Sequence, residues 1–347
     1  MRKVLHIDCD CFFAAVEMRE NPQLCHVPIA IGGHSDRRGV ISTCNYPARK
    51  FGIHSAMATA QALKKCPDLI LLPSNMALYR EVSQQVMAII QRYGIAYEQV
   101  SVDEAYLELD PDDSAIEVGE AIRAEVEDKV GITVSVGAAP NKFLAKVASD
   151  WNKPNGLFAV KPHKVDAFVQ QLEVRKIPGI GPKTAERLAA KGIVFCSDAQ
   201  QYGLSELVHL FGRTGVSLFK RCRGQDDRAL SLGRMRKSIS VEHTFASDLY
   251  LAKELDDEVE VLWGKFLQRT EKANIDSRQL SPFVKVKFND FTQTTLADQL
   301  LEPSLDSFRQ LLQQARLRND ESEIQGVRLI GIGGRCPDIN EQQLALF

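Results

Sequence analysis

Two acidic stretches carry the chemistry that this chain could perform. Asp8 lies in the run VLHIDCDCFFAAVE (residues 4–17), and Asp103 and Glu104 lie in SVDEAYLEL (residues 101–109). Both runs have the pattern of strands, and a carboxylate in or beside an apolar strand is costly unless it is paired or binds a cation. Neither stretch has an adjacent Lys or Arg. Three carboxylates converging from two strands, with no His-Cys ligand set, favour Mg²⁺ or Mn²⁺ over zinc. Two such ions drive in-line phosphoryl transfer. For Asp103 and Glu104 the alternative is a pair of turn acids at the tip of a hairpin. Asp10 shares a strand face with Asp8 and reads either as a third ligand or as an acid that orders the turn. Cys9 and Cys11 are conspicuous, yet the eight cysteines of the chain include no C-x-x-C pair. That excludes a zinc-finger spacing and a disulfide framework, and predicts reduced, mostly buried thiols.

Anion-binding groups recur elsewhere. In STCNYPARKFGI (residues 42–53), Arg49 follows Tyr46 by one turn of a helical start and would set a guanidinium beside a phenol, a clamp for a triphosphate, where solvated basic residues are the default alternative. IPGIGPKTAERL (residues 177–188) is a sharper signal. Its P-G-I-G turn, with Gly179 and Gly181, turns backbone N–H groups outward at a helix start, where Lys183 adds charge, so that it reads a nucleic-acid backbone without reading sequence. LFGRTGVSLFKR (210–221) is a looser second copy. In FVKVKF (283–288), Lys285 and Lys287 share one strand face opposite Val284, Val286 and Phe288, which suits a sheet lying along a DNA duplex or an ordinary solvated face. The final QLALF has three large apolar side chains, Leu344, Leu346 and Phe347, after a Gly/Pro/Asp/Asn approach, and fits a hydrophobic pocket on a partner protein, with docking on the chain's own last domain as the alternative.

The elements that would hold these groups fall into three regions. Through about residue 165, short β-branched runs alternate with amphipathic stretches, which predicts an α+β fold with a largely antiparallel sheet. Residues ~166–235 read as short helices separated by Gly turns. Beyond the basic RMRKS (234–238) a β-α-β-β-α-β order describes a split-βαβ domain. The chain has 347 residues and a net charge of −2, but residues 171–237 hold 13 Lys and Arg against 6 Asp and Glu, a local +7 that leaves −9 for the rest. One anion-binding module in a mildly acidic protein is the expectation. The apolar run of MRKVLHID is broken by Asp8 before a signal peptide forms, and no stretch reaches a membrane span, so a cytoplasmic protein is expected.

Taken in order, HIDCDCFFAAVE, RRGVISTCNYPARKFGIHSAM, SVDEAYLEL, SVGAAPNKFLAKVASDWNKPNG, KIPGIGPKTAERL and QLALF resemble the Y-family of translesion DNA polymerases, in its bacterial DinB branch. The resemblance covers essentially the whole chain. It implies a right hand: a palm at 1–10 and 76–165, fingers at 11–75, a helix-hairpin-helix thumb at 166–233, a linker at 234–240, a βαββαβ little finger at 241–336 and a clamp-binding tail at 337–347. It implies catalytic Asp8, Asp103 and Glu104, metal ligation by Asp8, Asp103 and the carbonyl of Cys9 with Glu104 in support, and two Mg²⁺ ions for which Mn²⁺ can substitute. The Cys at position 9 departs from the family's usual Met or Phe. Phe13 matches the position that blocks a ribose 2′-OH. Ser42, Tyr46, Arg49 and Lys153 match triphosphate contacts, and Gln343, Leu344, Leu346 and Phe347 a sliding-clamp motif. The implied activity is template-directed addition of dNTPs to a primer 3′-OH by a monomer, with low fidelity, weak processivity and no proofreading nuclease. A two-metal nuclease and a non-catalytic clamp-binding scaffold are the rivals, and extension against degradation of a primer separates the first from a polymerase.

Overall fold

The computed structural model describes residues 2–233, 235–318 and 325–337. The chain forms two compact units, one of Met1–Gly32, Ile41–Ala56 and Lys65–Gly233, the other of Gly33–Val40, Met57–Lys64 and Arg234–Phe347.

The first unit is built on β1 (Val4–Cys9), whose residues alternate between two covered faces. Along the chain follow α1 (Phe12–Glu20), β2 (Ile29–Gly32), β3 (Ile41–Cys44), α2 (Tyr46–Arg49), α3 (Thr59–Lys65, which belongs to the second unit but for its last residue), β4 (Ile70–Leu72), α4 (Met76–Gln91), β5 (Ala96–Gln99), β6 (Glu104–Glu108), α5 (Ala115–Val130), β7 (Val134–Ala139), α6 (Lys142–Ser149) and β8 (Leu157–Ala159). The main sheet runs β5-β6-β1-β7-β8, antiparallel except for β7–β8, as the alternating pattern predicts. Register sets Asp8 opposite Glu104 on one side and Ser135 on the other. The run AYEQVSVDEAYLEL, which reads as one strand, is instead the β5–β6 hairpin. Its tip places Asp103 just before Glu104, the first residue of β6.

Leu5 and Ile7 belong to a core with Phe12, Tyr79, Val86, Ile90, Leu107, Ile122 and Val126. The opposite face, with Val4 and Tyr106, packs on Phe143, Leu144 and Ala148 of α6. Gly137 lets α6 sit this close, because a Cβ there would meet the Ala145 carbonyl oxygen at 2.1 Å. Asn141 caps α6 by accepting from the Leu144 N–H at 3.0 Å. The smaller sheet, β3-β2-β4, carries the Ser42 to Arg49 stretch.

The same core continues into the helices α7 (Val165–Gln170), α8 (Pro182–Ala189), α9 (Cys196–Gln200), α10 (Leu204–Phe211) and α11 (Arg213–Arg221), through Val169, Leu188, Ile193, Leu207 and Leu218. In the P-G-I-G turn Gly179 has φ +95°, a conformation that L side chains rarely adopt, and Gly181 is the N-cap of α8.

The second unit carries β9 (Ser238–Leu249), α12 (Ala252–Lys272), β10 (Ser281–Phe288), β11 (Gln293–Ala297), α13 (Leu305–Leu317) and β12 (Val327–Arg335). Its antiparallel sheet, β11-β10-β12-β9, gives the expected β-α-β-β-α-β order. Val284, Val286 and Phe288 are buried in a core with Phe266, Phe308 and Leu312, while Lys285 and Lys287 stand on the other face. That face is less basic than the lysines alone imply: Lys285 pairs with Glu242 at 2.9 Å, and the Lys287 ammonium lies 4.9 Å from the Phe291 ring centroid. All eight cysteines are free, six of them buried.

Candidate active site

Asp8 stands near the end of β1, where the sheet face covered by α6 opens. The Cys9 N–H donates to the Asp103 carbonyl at 2.9 Å, which ties the hairpin tip to β1. Ser101 shapes that tip. Its Oγ accepts from the N–H groups of Asp103 (3.2 Å) and Glu104 (3.1 Å), and its hydroxyl donates to the Asp103 carboxylate. Asp103 and Glu104 thus stand at the tip of a hairpin, and the turn sets both acids beside Asp8.

Cations that the local sequence does not show come from far along the chain. The Lys153 ammonium donates to Asp8 Oδ1 at 2.6 Å and reaches Asp150 at 3.0 Å. Burial raises the Asp8 carboxyl above its ordinary range, and Lys153 opposes that rise. Burial alone would lower the Lys153 ammonium, but Asp8 and Asp150 outweigh it and raise it. Glu104 has two partners on one oxygen, Oε2: the Lys146 ammonium, which donates to it, and His6 Nε2 at 3.2 Å. His6, then Lys146, bring its carboxyl down to about 2 against burial. His6 and Asp8 lie two residues apart on one strand face, a spacing that announces their proximity. Lys146 is 42 residues from Glu104 and carries no such signal.

Asp10 is resolved by its partners. It is buried, and its carboxylate accepts from Thr133 Oγ1 (2.8 Å), Ser135 Oγ (2.8 Å) and the Asn155 N–H (2.7 Å). Such an acid orders the turn and is spent on protein donors.

Asp8, Cys9, Phe13, Ser42, Arg49, Asp103 and Lys153 line one hollow of about 200 Å³, together with Thr43 and Ser55, which the sequence does not single out. Arg49 lies over the Tyr46 ring at 4.7 Å, and its Nε donates to the Cys44 carbonyl at 3.2 Å, so phenol and guanidinium are side by side as the spacing predicts. Tyr46 itself points its hydroxyl toward Asp10 at 3.5 Å. Phe13 is stacked on Tyr79 at 4.4 Å, and the Tyr79 hydroxyl donates to Glu17 at 2.6 Å. The sequence carries no sign of this backing ring, since an aromatic 66 positions away leaves no local pattern.

The donor chemistry fits a hard divalent cation. Asp8, Asp103 and Glu104 offer carboxylate oxygens, and the nearby sulfurs are unsuited to ligation as thiolates: burial pushes the Cys11 thiol up to about 12 and Cys9 well above its usual value. Ligand atoms of His6, Asp8 and Glu104 come within 4.8 Å of one another, but the His6 ring is engaged by Ser149 at 2.8 Å and by Glu104.

Gly179, Gly181 and Lys183 lie on the thumb-type turn, apart from the hollow, and Lys285 and Lys287 lie in the second unit. Gln343, Leu344, Leu346 and Phe347 lie outside the described residues.

Comparison with known proteins agrees along the chain. Residues 7–150 match the impB/mucB/samB family, 175–226 the thumb domain of DNA polymerase-iota, and 236–345 the C-terminal domain of the impB/mucB/samB family. DNA polymerase IV of Ralstonia nicotianae is 45% identical over 353 residues, covering 100% of this chain and 98% of the relative. DNA polymerase IV of a Shewanella species is 48% identical over 336 residues, 96% of this chain and 93% of the relative. Among solved structures, a Y-family polymerase chimera of Dbh and Dpo4 matches with a TM-score of 0.85 at 28% identity, over 96% of this chain and 98% of that one. DinB from Sulfolobus solfataricus matches with a TM-score of 0.65 at 27% identity, over 96% and 98%. With the palm-type sheet, the helical thumb and the β-α-β-β-α-β unit all in place, the chain belongs to the Y-family of DNA polymerases, in the branch of DNA polymerase IV, and is a DNA-directed DNA polymerase of the translesion class.

Proposed function

We propose that Asp8 and Asp103 hold two Mg²⁺ ions, with the Cys9 carbonyl as a further ligand and Glu104 in support, and that the hollow beside them receives the dNTP. As in its relatives, the activity depends on a divalent metal and acts on primer–template DNA and dNTPs. Bound there, the metal would lower the pKa of the primer 3′-OH and neutralise charge on the triphosphate. The chain's own residues do the rest. Ser42, Tyr46, Arg49 and Lys153 bind the triphosphate, and Lys153 exchanges part of its hold on Asp8 for phosphate oxygens. Phe13 presses on the sugar and excludes a 2′-OH. Gly179, Gly181 and Lys183 carry DNA phosphates, Lys285 and Lys287 lie along the duplex, and Gln343 to Phe347 engage a sliding clamp. Palm, fingers, thumb, linker, little finger and tail keep the boundaries read from the sequence, in a monomer that works on DNA in the cytoplasm with Mn²⁺ able to replace Mg²⁺.

One observation carries this reading: register and a Ser101-built turn bring Asp8, Asp103 and Glu104 together at the edge of a hollow that also holds Phe13, Ser42, Arg49 and Lys153. Primer extension with Mg²⁺ tests it. Asp103→Ala should lose at least about a thousandfold in rate while melting like the parent. Extension at the parent's rate would overturn the assignment, and primer degradation would favour the nuclease.

A further inference from the structure

Trp151 is one of two tryptophans in the chain, and it is unusually open for its type, 43% exposed. Its ring is not loose. It stacks on Phe158 at 5.4 Å and meets Phe168 at 5.0 Å, while the Lys176 ammonium lies 4.7 Å from its centroid. Val147, Asp150, Trp151, Arg175 and Lys176 line a hollow of about 380 Å³ that none of the assigned groups uses. Arg175 pairs with Glu173, whereas exposed Lys176 forms no ion pair among the described residues. Glu173 feels the Lys176 charge but is itself held by Arg175, so the ammonium over the aromatic ring makes no direct ion pair and can take up an anion.

The position of this hollow says which anion. One wall is Asp150, which shares the Lys153 ammonium with Asp8 at 3.0 and 2.6 Å, so the hollow adjoins the metal-binding acids. Its other wall, Arg175 and Lys176, runs directly into the turn that starts at Ile177. The hollow thus borders that turn on one side and, through Asp150 and Lys153, Asp8 on the other.

We infer that Trp151 and Lys176 form a contact for the sugar–phosphate backbone of the primer strand just behind its 3′ end, with a phosphate on Lys176 and deoxyribose against the indole edge. The rigid aromatic stack means that little order has to be created on binding. Asp150 does not repel the strand, because Lys153 neutralises it.

This inference rests on the metal-site reading, so its test avoids chemistry. In a Trp263→Phe background Trp151 is the sole tryptophan, and its fluorescence should change when a recessed-end primer–template is added without metal. Lys176→Gln should weaken primer–template binding about five- to tenfold and reduce the salt slope by about one, with the extension rate at saturating DNA and the KM for dNTP unchanged. Trp151→Ala should behave alike; should it fail to fold, Lys176→Gln, at an exposed position, still decides. Fluorescence indifferent to DNA, or parental affinity and salt slope in Lys176→Gln, would overturn the contact. Loss of extension in Asp103→Ala tests the metal site independently, so the two can fail separately.

Discussion

The sugar gate proposed for Phe13 depends on how firmly one ring is held beside the hollow. Phe13 is the second residue of α1, in the turn that follows the Cys11 N-cap, whose φ of +43° starts the helix at a sharp left-handed step beside the hollow. Tyr79, fully buried and anchored on Glu17, supports the ring from behind, so it cannot easily yield to a 2′-OH. Phe13→Val should keep dNTP insertion while raising ribonucleotide insertion by at least about tenfold, measured as the ratio of kcat/KM for rNTP and dNTP. An unchanged ratio would remove the gate from Phe13. The legible part of the site is that which a two-residue strand period or a one-turn helix spacing announces: Asp8, the Asp103–Glu104 pair, and Tyr46 with Arg49. Lys146, Lys153 and Tyr79 were out of reach as partners of those residues because only the closed sheet brings them there. The fate of Asp10 was open for the same reason: its donors Thr133, Ser135 and Asn155 lie more than a hundred positions away.

Among the elements, α6 carries the most consequences, since it covers one face of β1 and presents Lys146 and Ser149 to Glu104 and His6. Helix and strand patterns were legible for nearly all elements, whereas β4 and β8, three residues each, are too short for a period and exist through their neighbours. What the pattern does not show at all is how α6 is pinned. Beyond its own Asn141 cap, the Phe143 N–H donates to Asp226 Oδ2 at 3.0 Å, and Asn141 Nδ2 donates to the Gly224 carbonyl at 2.8 Å, so the segment after α11 straps the helix start. Burial works to raise the Asp226 carboxyl, but Arg228 at 2.7 Å outweighs it and holds the carboxyl low. A carboxyl lowered on folding adds stability above its unfolded value of about 4. That stability is lost as the pH falls through the lower folded value. Asp226→Asn should therefore cost about 1–3 kcal/mol near pH 7. The gap from the parent should narrow in denaturant melts below about pH 4, with the site residues untouched. A deficit that stays constant down to pH 3 would show that Asp226 acts by shape and not by charge.

On the scale of the whole molecule, the chain keeps its hold on DNA modest: a net charge of −2, with positive charge concentrated at residues 171–237. Few cations make few phosphate contacts, and few contacts give a weak hold, so a polymerase of this build leaves its template often. Tethering is the remedy that requires no stronger grip on DNA, because it converts rebinding into an event at millimolar effective concentration. Leu344, Leu346 and Phe347 can each contribute about 1.5–3 kcal/mol on entering an apolar pocket, enough for micromolar binding and too little for a permanent complex. The tail would then act as a reversible hook while Asp8 and Asp103 work unaided. Removal of Gln343–Phe347 should leave distributive extension of a short primer within about twofold of the parent. Clamp-dependent stimulation of product length on a long primed template should be lost. The decisive comparison is the ratio of product length with and without loaded clamp, for parent and truncated chain at equal concentration. A truncated chain stimulated as strongly as the parent would transfer the clamp contact to another surface, and one that loses basal extension would mean that these residues serve the fold.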